Sequence, residues 1–484
     1  MSIKSIESLI EEYKDVFTRL AEGPKPLLTI SEKYINDIYY IYATMKKAGY
    51  DCYLVGGCVR DMLLGREPKD YDFSTNATPS QVTEVFKDKL TVLPTGVEFG
   101  TVTVMCNHVG YEITTYRTDA YDKERGENAH HPSWIEYVSA IEEDLARRDF
   151  TINAMAYDIN DNKIIDPYGG QEDLERKYIR CVGNPVTRFT EDPLRMLRAI
   201  RFQAQLGFDI DKSTKHGIWH CSELIEDISG ERIQMELNKI LLANPAVLDT
   251  PAAITLFCEI IPELTMLRGI KQNSPWHVYD AFEHSIKATM VVESELHLRL
   301  AMLFHDLGKY DTLTTDENGI DHFYNHGIVS YDIARNILKR LRYSNEITDK
   351  VLLLIKEHDR RIELSKKAVK RVLNIMGEEA TKDLLKIRWA DICAQNPVHL
   401  KPRAKKVFDL TALVEEVIEN KEPFSRKDLN IDGKKLIEIG FKPGPEIGKA
   451  FDIMLEYVQE HPELNDRMRL EMIAHGILLS GDAK

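Results

Sequence analysis

The sequence predicts an α+β protein, in which a mixed α/β head is followed by an all-α neck, body and tail. Up to about residue 180, strand-like runs such as Tyr53–Val55, Gly100–Met105 and Tyr111–Tyr116 alternate with helical patterns. From about residue 191 to 400 the strand signals stop and apolar residues recur at helical spacing. The chain has 484 residues, which is too many for a single hydrophobic core.

Breaks in these patterns divide the chain into five predicted parts. The first breaker is a Gly/Pro cluster at 23–26, after an amphipathic helix predicted over 3–20. A second helix is predicted over 31–48, at the start of the head. The five parts are an N-terminal helical extension (1–30), a head (31–180), a neck (181–270), a body (271–400) and a tail (401–484).

The composition is that of a soluble globular protein, with 43% apolar and 29% charged residues. No apolar run approaches the ~20 residues that span a bilayer, and the N-terminus lacks a signal-peptide core. Seven dispersed cysteines without a C-x-x-C pair are typical of small buried side chains in a reducing compartment. We therefore expect a cytoplasmic protein that does not interact with membranes; its oligomeric state is left open.

The net charge of −15 argues against a nucleic-acid binder with a basic surface throughout, but local basic patches remain. Solvated helix faces explain the second and third of them equally well. The three patches are Arg195/Arg198/Arg201, Lys366/Lys367/Lys370/Arg371 and Lys401/Arg403/Lys405/Lys406.

The most specific motif combines a glycine pair, an arginine and two aspartates within 17 residues. Paired glycines allow backbone N–H groups to approach a phosphate, and an arginine can neutralise it. Aspartates at i and i+2 of a strand share one face, where their repulsion favours bound cations and two-metal catalysis. The predicted residues are Gly56, Gly57, Arg60, the catalytic and metal-binding pair Asp70 and Asp72, and Glu112 as a third carboxylate.

Two further clusters combine arginines with carboxylates. In the first, Arg147, Arg148 and Asp149 precede an apolar stretch that contains Asn153, and an ion-paired turn is the alternative interpretation. In the second, Thr190 is a plausible helix N-cap, with Pro193 in the first turn. Glu191, Asp192 and Arg195 would then lie near Arg198 on one helix, where a local Asp192–Arg195 salt bridge is the alternative.

In this order the three clusters resemble the motifs of class II tRNA nucleotidyltransferases, which are relatives of bacterial poly(A) polymerases with a DNA-polymerase-β-like head. The similarity covers about residues 35–270. It implies that Asp70 and Asp72 bind Mg²⁺, and that the cluster at 147–149 contacts the nucleotide sugar. It further implies that Asp192 and Arg195 read the base, and that CTP and ATP are added to the 3′ end of tRNA.

Chemistry explains how such a pair can replace a template. Cytosine and adenine both present an amine donor beside a ring-nitrogen acceptor, whereas uracil and guanine present a carbonyl beside an N–H. A carboxylate accepts only and a guanidinium donates only, so one Asp–Arg pair selects C and A. The segment between Arg117 and Asp144 matches the family's switching loop but has Glu124–Glu127 where many relatives have Asp-Gly-Arg. Full CCA addition and partial addition therefore both remain open.

A second set of candidates lies in the body. An adjacent His-Asp pair with further histidines and an aspartate resembles the H…HD…D pattern of HD phosphohydrolases. Imidazole and carboxylate ligands together suit Mn²⁺, Fe²⁺, Ni²⁺ or Zn²⁺ and can activate water. The predicted ligands are His284, His305, Asp306 and Asp391, with His326 and His358 for a second metal or a phosphate.

The resemblance to HD proteins implies phosphatase or 2′,3′-cyclic phosphodiesterase activity, and the tail around Gly444 and Pro445 resembles a tRNA-binding part. Two alternatives remain. One is a poly(A) polymerase, which uses ATP alone, and the other is a phosphohydrolase whose head only binds RNA.

Overall fold

The computed structural model of the chain describes residues 27–120 and 134–483. They form two compact units. The first comprises the residues up to Leu237 together with Thr250–Ile260, and the second comprises Asn238–Asp249 and the residues from Ile261 onward. The helix predicted over 3–20 and the loop residues Glu124–Glu127 lie outside the described residues.

A seven-stranded mixed sheet forms the centre of the first unit. The strands of this unit are β1 (Tyr53–Val55), β2 (Asp72–Thr75), β3 (Thr91–Leu93), β4 (Thr101–Cys106), β5 (Val109–Thr115), β6 (Arg117–Ala120), β7 (Trp134–Tyr137), β8 (Ala156–Asp158), β9 (Lys163–Ile165), β10 (Tyr178–Ile179) and β11 (Asp209–Ile210). The order in the sheet is β3-β4-β5-β2-β1-β8-β9. Within this sheet only β2 and β5 pair in parallel. Two separate pairs are antiparallel β6 and β7 and parallel β10 and β11. The predicted α/β head is confirmed.

Helices surround this sheet and continue beyond it. They are α1 (Ile35–Lys47), α2 (Gly57–Leu63), α3 (Pro79–Phe86), α4 (Ile141–Ala146), α5 (Gly170–Arg176), α6 (Pro185–Glu191), α7 (Leu194–Leu206), α8 (Lys212–Cys221), α9 (Gly230–Ala243) and α10 (Pro251–Ile260). Helix α1 confirms the helix predicted over 31–48, although it begins four residues later because Ser31 opens a turn rather than the helix.

The second unit is almost entirely helical. Its helices are α11 (Pro262–Thr265), α12 (Ala281–Val291), α13 (Leu296–Phe304), α14 (Lys309–Thr312), α15 (His326–Arg340), α16 (Asn345–Glu357), α17 (Lys366–Cys393), α18 (Leu400–Glu419), α19 (Gly433–Ile439), α20 (Pro445–Glu460) and α21 (Arg467–Ser480). A short hairpin of β12 (Leu313–Thr315) and β13 (Asp321–Phe323) corrects the all-α prediction, as does β11 in the neck.

Burial follows the predicted patterns closely. The strands β4 and β5 alternate buried and more exposed residues, as a sheet with two different faces requires. Five of the seven cysteines are buried and all seven are free, but Cys258 is exposed and Cys393 is half-buried, so the prediction of seven buried cysteines is wrong. None of the described helices is long and apolar enough to cross a membrane.

One glycine in the head is required by packing. A Cβ atom on Gly170 would lie 2.3 Å from the carbonyl oxygen of Thr151 and 2.9 Å from the side chain of Met155. The contact with a backbone oxygen cannot be relieved by a rotamer change. The first turn of α5 can therefore pack this closely against the segment at Thr151 only with glycine.

We expect Gly170→Ala to destabilise the first unit by about 1–3 kcal/mol through overpacking. The same substitution at Gly476, in α21, meets no atom within 4 Å and should stabilise its helix by up to about 1 kcal/mol. Urea unfolding followed by circular dichroism measures both changes. Equal midpoints for Gly170→Ala and the wild type would contradict the packing argument.

Candidate functional site

The first unit contains a cavity of about 500 Å³ that collects most of the predicted nucleotide-binding residues. Seven arginines and three aspartates line it, which makes it strongly cationic in a chain of net charge −15. All ten predicted nucleotide-binding residues and Asp72 are present, but Asp70 and Glu112 are not. The lining residues are Gly56, Gly57, Arg60, Asp72, Arg147, Arg148, Asp149, Asn153, Asp192, Leu194, Arg195, Arg198, Arg201, Phe202, Gln205 and Arg232.

The turn between β1 and α2 brings the backbone to the cavity wall. Gly56 has φ +75°, and a Cβ atom there would lie 2.9 Å from Nη1 of Arg148. Arg148 is held by Asp144 at 3.1 Å and lies 3.4 Å from the Ser74 hydroxyl. Asp144, fully buried, also pairs with Arg147 at 2.8 Å. Asp144 was not among the predicted site residues, although one carboxylate three residues before Arg147 and four before Arg148 is a recognisable ion-pair signal.

Of the three predicted carboxylates, Asp72 lines this cavity. Asp72 is the first residue of β2, while Asp70 is exposed in the preceding loop, so only Asp72 belongs to the strand. The parallel pairing of Phe73 with Ile113 places Glu112 beside Asp72. Burial raises the pKa of Asp72 to about 6, and the negative charges of Glu112 and Asp70 add to this effect. Three carboxylates that repel one another in this way are a suitable donor set for Mg²⁺.

Asp149 is the centre of a hydrogen-bond network across the cavity floor. Its Oδ2 accepts from Nε and Nη2 of Arg198 at 2.9 and 2.6 Å, and its Oδ1 accepts from Asn153 at 3.1 Å. Arg60 donates in turn to Oδ1 of Asn153 at 2.7 Å. Burial alone would raise the pKa of Asp149, but the charge of Arg198 reverses this and holds the pKa well below its usual range.

The helix predicted to carry Asp192 and Arg195 is interrupted. Helix α6 ends at Glu191, Asp192 has extended φ and ψ of −143° and 99°, and α7 begins after Pro193. Asn184, not Thr190, caps α6 with its side chain. The expectation of one continuous helix face was therefore wrong.

The two proposed base-reading residues do not pair with each other. Asp192 is bound by Nη2 of Arg232, at 3.2 and 3.1 Å to its two oxygens. Arg195 donates to Glu191 at 2.8 Å and to the carbonyl oxygen of Arg147 at 3.0 Å. A local Asp192–Arg195 salt bridge is thereby excluded, and Arg232 is a contributor that its separation of 40 residues hid from sequence reasoning.

In the second unit, all six predicted residues of the body converge. Nε2 of His284 lies 3.0 Å from Asp391, 3.4 Å from Asp306 and 3.3 Å from Nε2 of His305. His305 lies 3.1 Å from Asp306. His284 belongs to α12, His305 and Asp306 follow the end of α13, and Asp391 belongs to α17. Because these elements are far apart in sequence, the sequence pattern alone did not fix the distances between the side chains.

Two further histidines complete the cluster on its other side. Nε2 of His326 lies 3.4 Å from Oδ1 of Asp306 and 3.0 Å from Nε2 of His358. Asp306 thus has one oxygen facing each group of histidines. The ligand atoms of His284, His305 and Asp306, and those of Asp306, His326 and His358, form two groups compact enough to hold a metal ion each.

Backbone carbonyls fix all four imidazoles in one tautomer. The Nδ1 atoms of His284, His305, His326 and His358 lie 2.6–3.2 Å from the carbonyl oxygens of Ala394, Met302, Phe323 and Ile355. A carbonyl only accepts, so each Nδ1 donates and each Nε2 keeps its lone pair for the cluster. This is the arrangement expected of metal-binding imidazoles with an oriented outer hydrogen bond.

Burial and neighbouring charges favour the ionised form of Asp306 and the neutral form of His358, whereas the carboxylates of Asp306 and Asp391 raise the pKa of His305. Asp306 is buried, which would raise its pKa, but the charges of His305 and Lys309 hold the pKa well below the usual range. Burial lowers the pKa of His358 to about 3 and keeps that ring neutral. Lys309, which the sequence analysis left without a role, is buried with Nζ 2.6 Å from Asp306 and from Gln272.

Three family models match separate parts of the chain. Residues 52–180 match the poly(A) polymerase head domain, and residues 207–265 match a probable RNA- and SrmB-binding site of polymerase A. Residues 312–471 match the tRNA nucleotidyltransferase domain 2 model. The segment that contains His284, His305 and Asp306 falls between the last two matches.

Curated relatives and solved structures agree with these models. The CCA-adding enzymes of Bacillus pumilus and a Geobacillus species are 42% and 45% identical, over alignments that span 60% and 48% of those proteins. The CCA-adding enzyme of Limosilactobacillus reuteri is 34% identical over 84% of this chain and 87% of its own length. The crystal structure of the Bacillus stearothermophilus CCA-adding enzyme with CTP has a TM-score of 0.66 and 26% identity, covering 93% of this chain and 99% of that one.

The Thermotoga maritima CCA-adding enzyme complexed with tRNA, at 19% identity and a TM-score of 0.55, shares the fold over 93% of this chain and 96% of that one. The head, the cavity geometry and these similarities agree on one family, so the chain belongs to the CCA-adding enzymes.

Proposed function

We propose that the chain adds C and A nucleotides, from CTP and ATP, to the 3′ end of tRNA without a template. The observation that carries this proposal is the cavity in which seven arginines face Asp72, Asp149 and Asp192. A triphosphate carries several negative charges, and guanidinium groups bind phosphate oxygens with paired hydrogen bonds. The Bacillus stearothermophilus enzyme has been solved in complex with CTP, and the Thermotoga maritima enzyme in complex with tRNA.

In this proposal, different residues of the first unit have different roles in nucleotidyl transfer. The tRNA 3′-hydroxyl attacks the α-phosphorus, the bond to the β-phosphate breaks, and pyrophosphate leaves. Asp70 and Asp72 would hold Mg²⁺, which supplies charge neutralisation at the attacking and leaving oxygens. Arg60 and Arg148 are placed to hold the triphosphate against the glycine turn, and Asp149 can accept from a ribose hydroxyl.

Base selection falls to Asp192 and Arg195, which share the cavity without neutralising each other. Arg232 holds Asp192 and Glu191 holds Arg195, so an acceptor and a donor are both fixed in the cavity for the pairing edge of C or A. Uracil and guanine would place a carbonyl against the carboxylate. Because the two side chains are already held, little ordering entropy is lost when the base binds.

A poly(A) polymerase would use the same cavity with ATP alone. Incubation of tRNA truncated before CCA with each nucleotide separately and in combination, followed by sequencing of the products, distinguishes the two activities. Addition of A without prior C would favour the poly(A) polymerase, and addition of C but not A would indicate partial CCA synthesis.

We further propose that the second unit is a metal-dependent phosphohydrolase. Four imidazole Nε2 atoms and two aspartates suit Mn²⁺, Fe²⁺, Ni²⁺ or Zn²⁺ rather than Mg²⁺. His284, His305 and Asp391 would hold one ion and His326 and His358 a second, with Asp306 between them. Such ions activate water towards phosphorus, and Lys309 is placed to balance the charge of Asp306. Hydrolysis of p-nitrophenyl phosphate with added Mn²⁺ or Ni²⁺ tests this activity.

We expect Asp72→Asn to reduce nucleotide addition by about a thousandfold or more, because several kcal/mol of charge stabilisation are lost. The variant should also be more stable than the wild type without divalent ions at pH 8. The pKa of Asp72 is about 6 in the folded protein and about 4 in the unfolded chain. Ionisation of Asp72 therefore lowers the free energy of unfolding as the pH rises from 4 to 6, and the full loss is reached above pH 6.

Thermal unfolding with and without Mg²⁺ measures the second effect, and Mg²⁺ should stabilise the wild type but not Asp72→Asn. Asp88→Asn, at an exposed aspartate of the same unit, is the matched control and should change neither property. Equal stabilisation of Asp72→Asn by Mg²⁺ would show that the ion binds elsewhere.

We expect Asp192→Ala to lower kcat/KM for CTP and ATP relative to UTP and GTP. A hydrogen bond to a charged group is worth about 1.5–3 kcal/mol, so the preference should fall roughly 10- to 150-fold. Steady-state kinetics with all four nucleotides on truncated tRNA measures it. Asp209→Ala, which removes an exposed aspartate paired with Lys215, should leave the ranking unchanged. An unchanged ranking of the four nucleotides in a folded Asp192→Ala variant would exclude the base-reading role.

We expect the second unit to bind two transition-metal ions, and single substitutions in the cluster to remove either one ion or both. His358→Ala should retain one ion, whereas Asp306→Ala should lose both because its carboxylate belongs to both groups. Metal content after dialysis, measured by mass spectrometry in an Asp72→Asn background, gives the stoichiometry. His475→Ala, at an exposed histidine of the tail, is the control. Two ions retained in Asp306→Ala would exclude the shared carboxylate.

A further inference from the structure

Asp144 is a buried carboxylate that holds two arginines of the cavity in the first unit. Its side chain is fully buried, whereas Arg147 and Arg148 both line the cavity. Its Oδ1 accepts from Nε of Arg147 at 2.9 Å, and its Oδ2 accepts from Nη2 of Arg148 at 3.1 Å. The other five lining arginines pair with five different carboxylates: Arg60 with Asp61, Arg195 with Glu191, Arg198 with Asp149, Arg201 with Glu236 and Arg232 with Asp192.

Ser74 connects this carboxylate to the strand that carries Asp72. Ser74 follows Asp72 by two residues in β2, so the two side chains lie on the same face of the strand. The buried Ser74 hydroxyl oxygen lies 3.2 Å from Oδ2 of Asp144 and 3.4 Å from Nη2 of Arg148. Because a carboxylate only accepts and a guanidinium only donates, the hydroxyl donates to Asp144 and accepts from Arg148. These contacts fix the guanidinium of Arg148 relative to β2.

The charge state of Asp144 and one remaining donor of Arg148 complete the arrangement. Burial alone would raise the pKa of Asp144, but the charges of Arg148 and Arg147 hold the pKa below its usual range. The carboxylate is therefore ionised at neutral pH. Nε of Arg148 is buried and has no hydrogen-bond acceptor among residues 27–120 and 134–483. A buried donor without an acceptor is unfavourable, and an anionic group in the cavity would satisfy it.

We propose that Asp144 and Ser74 are positioning residues for nucleotidyl transfer, which direct the guanidiniums of Arg147 and Arg148 towards the triphosphate of the incoming nucleotide. The inference rests on the proposed nucleotidyl transfer and adds two residues that do not themselves touch the nucleotide. In-line displacement requires the leaving pyrophosphate to lie opposite the attacking hydroxyl. A triphosphate held by misdirected arginines is therefore still bound, but it reacts slowly. Charge supplies affinity, and the direction of the guanidiniums supplies rate.

Two substitutions separate direction from charge. Ser74→Ala removes hydrogen bonds but no charge, so kcat with CTP and truncated tRNA should fall roughly 2- to 13-fold while Kd for CTP stays unchanged. Asp144→Asn keeps the shape but removes one negative charge and half of the acceptor. Its kcat should fall about 10- to 100-fold, whereas CTP should bind about 3- to 30-fold more tightly at low ionic strength. Steady-state kinetics gives kcat, and calorimetric titration without tRNA gives Kd.

Asp173→Asn is the matched control. Asp173 is a buried carboxylate of the same unit that pairs with Arg180 at 2.8 Å and accepts from the Thr151 hydroxyl, and none of these three residues lines the cavity. The substitution should lower the thermal unfolding temperature about as much as Asp144→Asn does, but it should change neither kcat nor Kd. An equal fall of kcat in both variants would indicate a general loss of packing and would overturn the proposal.

Phosphorus NMR of bound CTP reads the position of the triphosphate without turnover. The β- and γ-phosphate resonances should shift from their wild-type positions in Ser74→Ala and Asp144→Asn, and should not shift in Asp173→Asn. If the wild type transfers no nucleotide but these shifts occur, nucleotidyl transfer is wrong and the positioning of the triphosphate stands. The positioning role is wrong if the resonances of Asp144→Asn coincide with those of the wild type, if its kcat stays within about twofold, or if its CTP binding weakens as much as kcat falls.

Discussion

The pairing of buried Asp149 with Arg198 is the contact on which the cavity of the first unit depends. An ionised carboxylate without a partner would not remain buried at this position. Its side-chain partners come from separate elements, since Arg198 belongs to α7 and Asn153 to the segment after α4. Arg60 of α2 donates to Asn153 and joins the network through that residue. Asp149 and Asn153 together thus connect α7 with the helix that follows the glycine turn. The remaining arginines of the cavity can then face an anion.

The two candidate sites have excess charges of opposite sign. The cavity of the first unit has an excess of cations and needs an anionic ligand, whereas the histidine cluster of the second unit presents lone pairs and carboxylates and needs cations. In each site, the excess charge that the protein does not neutralise indicates the ligand better than the shape of the site does. The raised pKa of Asp72 is the exception within the first unit, since it marks a place where a cation belongs.

The sequence predicted the alternation of strands and helices in the head, because residues with two-residue or 3.6-residue periodicity leave a pattern. It missed short strands such as β11, β12 and β13, in which two or three residues show neither an apolar run nor alternation, whereas three-residue β1 was found because it is apolar and precedes a glycine pair. The motif residues could be named, because glycine pairs and i, i+2 aspartates have few structural uses. Arg232 and the four carbonyl partners of the histidines could not, since they depend on contacts distant in sequence or made by the backbone.

The interruption at Asp192 has a cause that lies one residue further along. A proline ring disfavours helical geometry in the residue before it, so Pro193 itself turns Asp192 out of the helical path. The direction of the carboxylate is then set by the covalent stiffness of the main chain and does not rely on side-chain packing alone. The proposed base-reading role requires an acceptor whose direction is fixed, so that it cannot turn towards the wrong edge of a base. In this chain the ring of Pro193 supplies that rigidity.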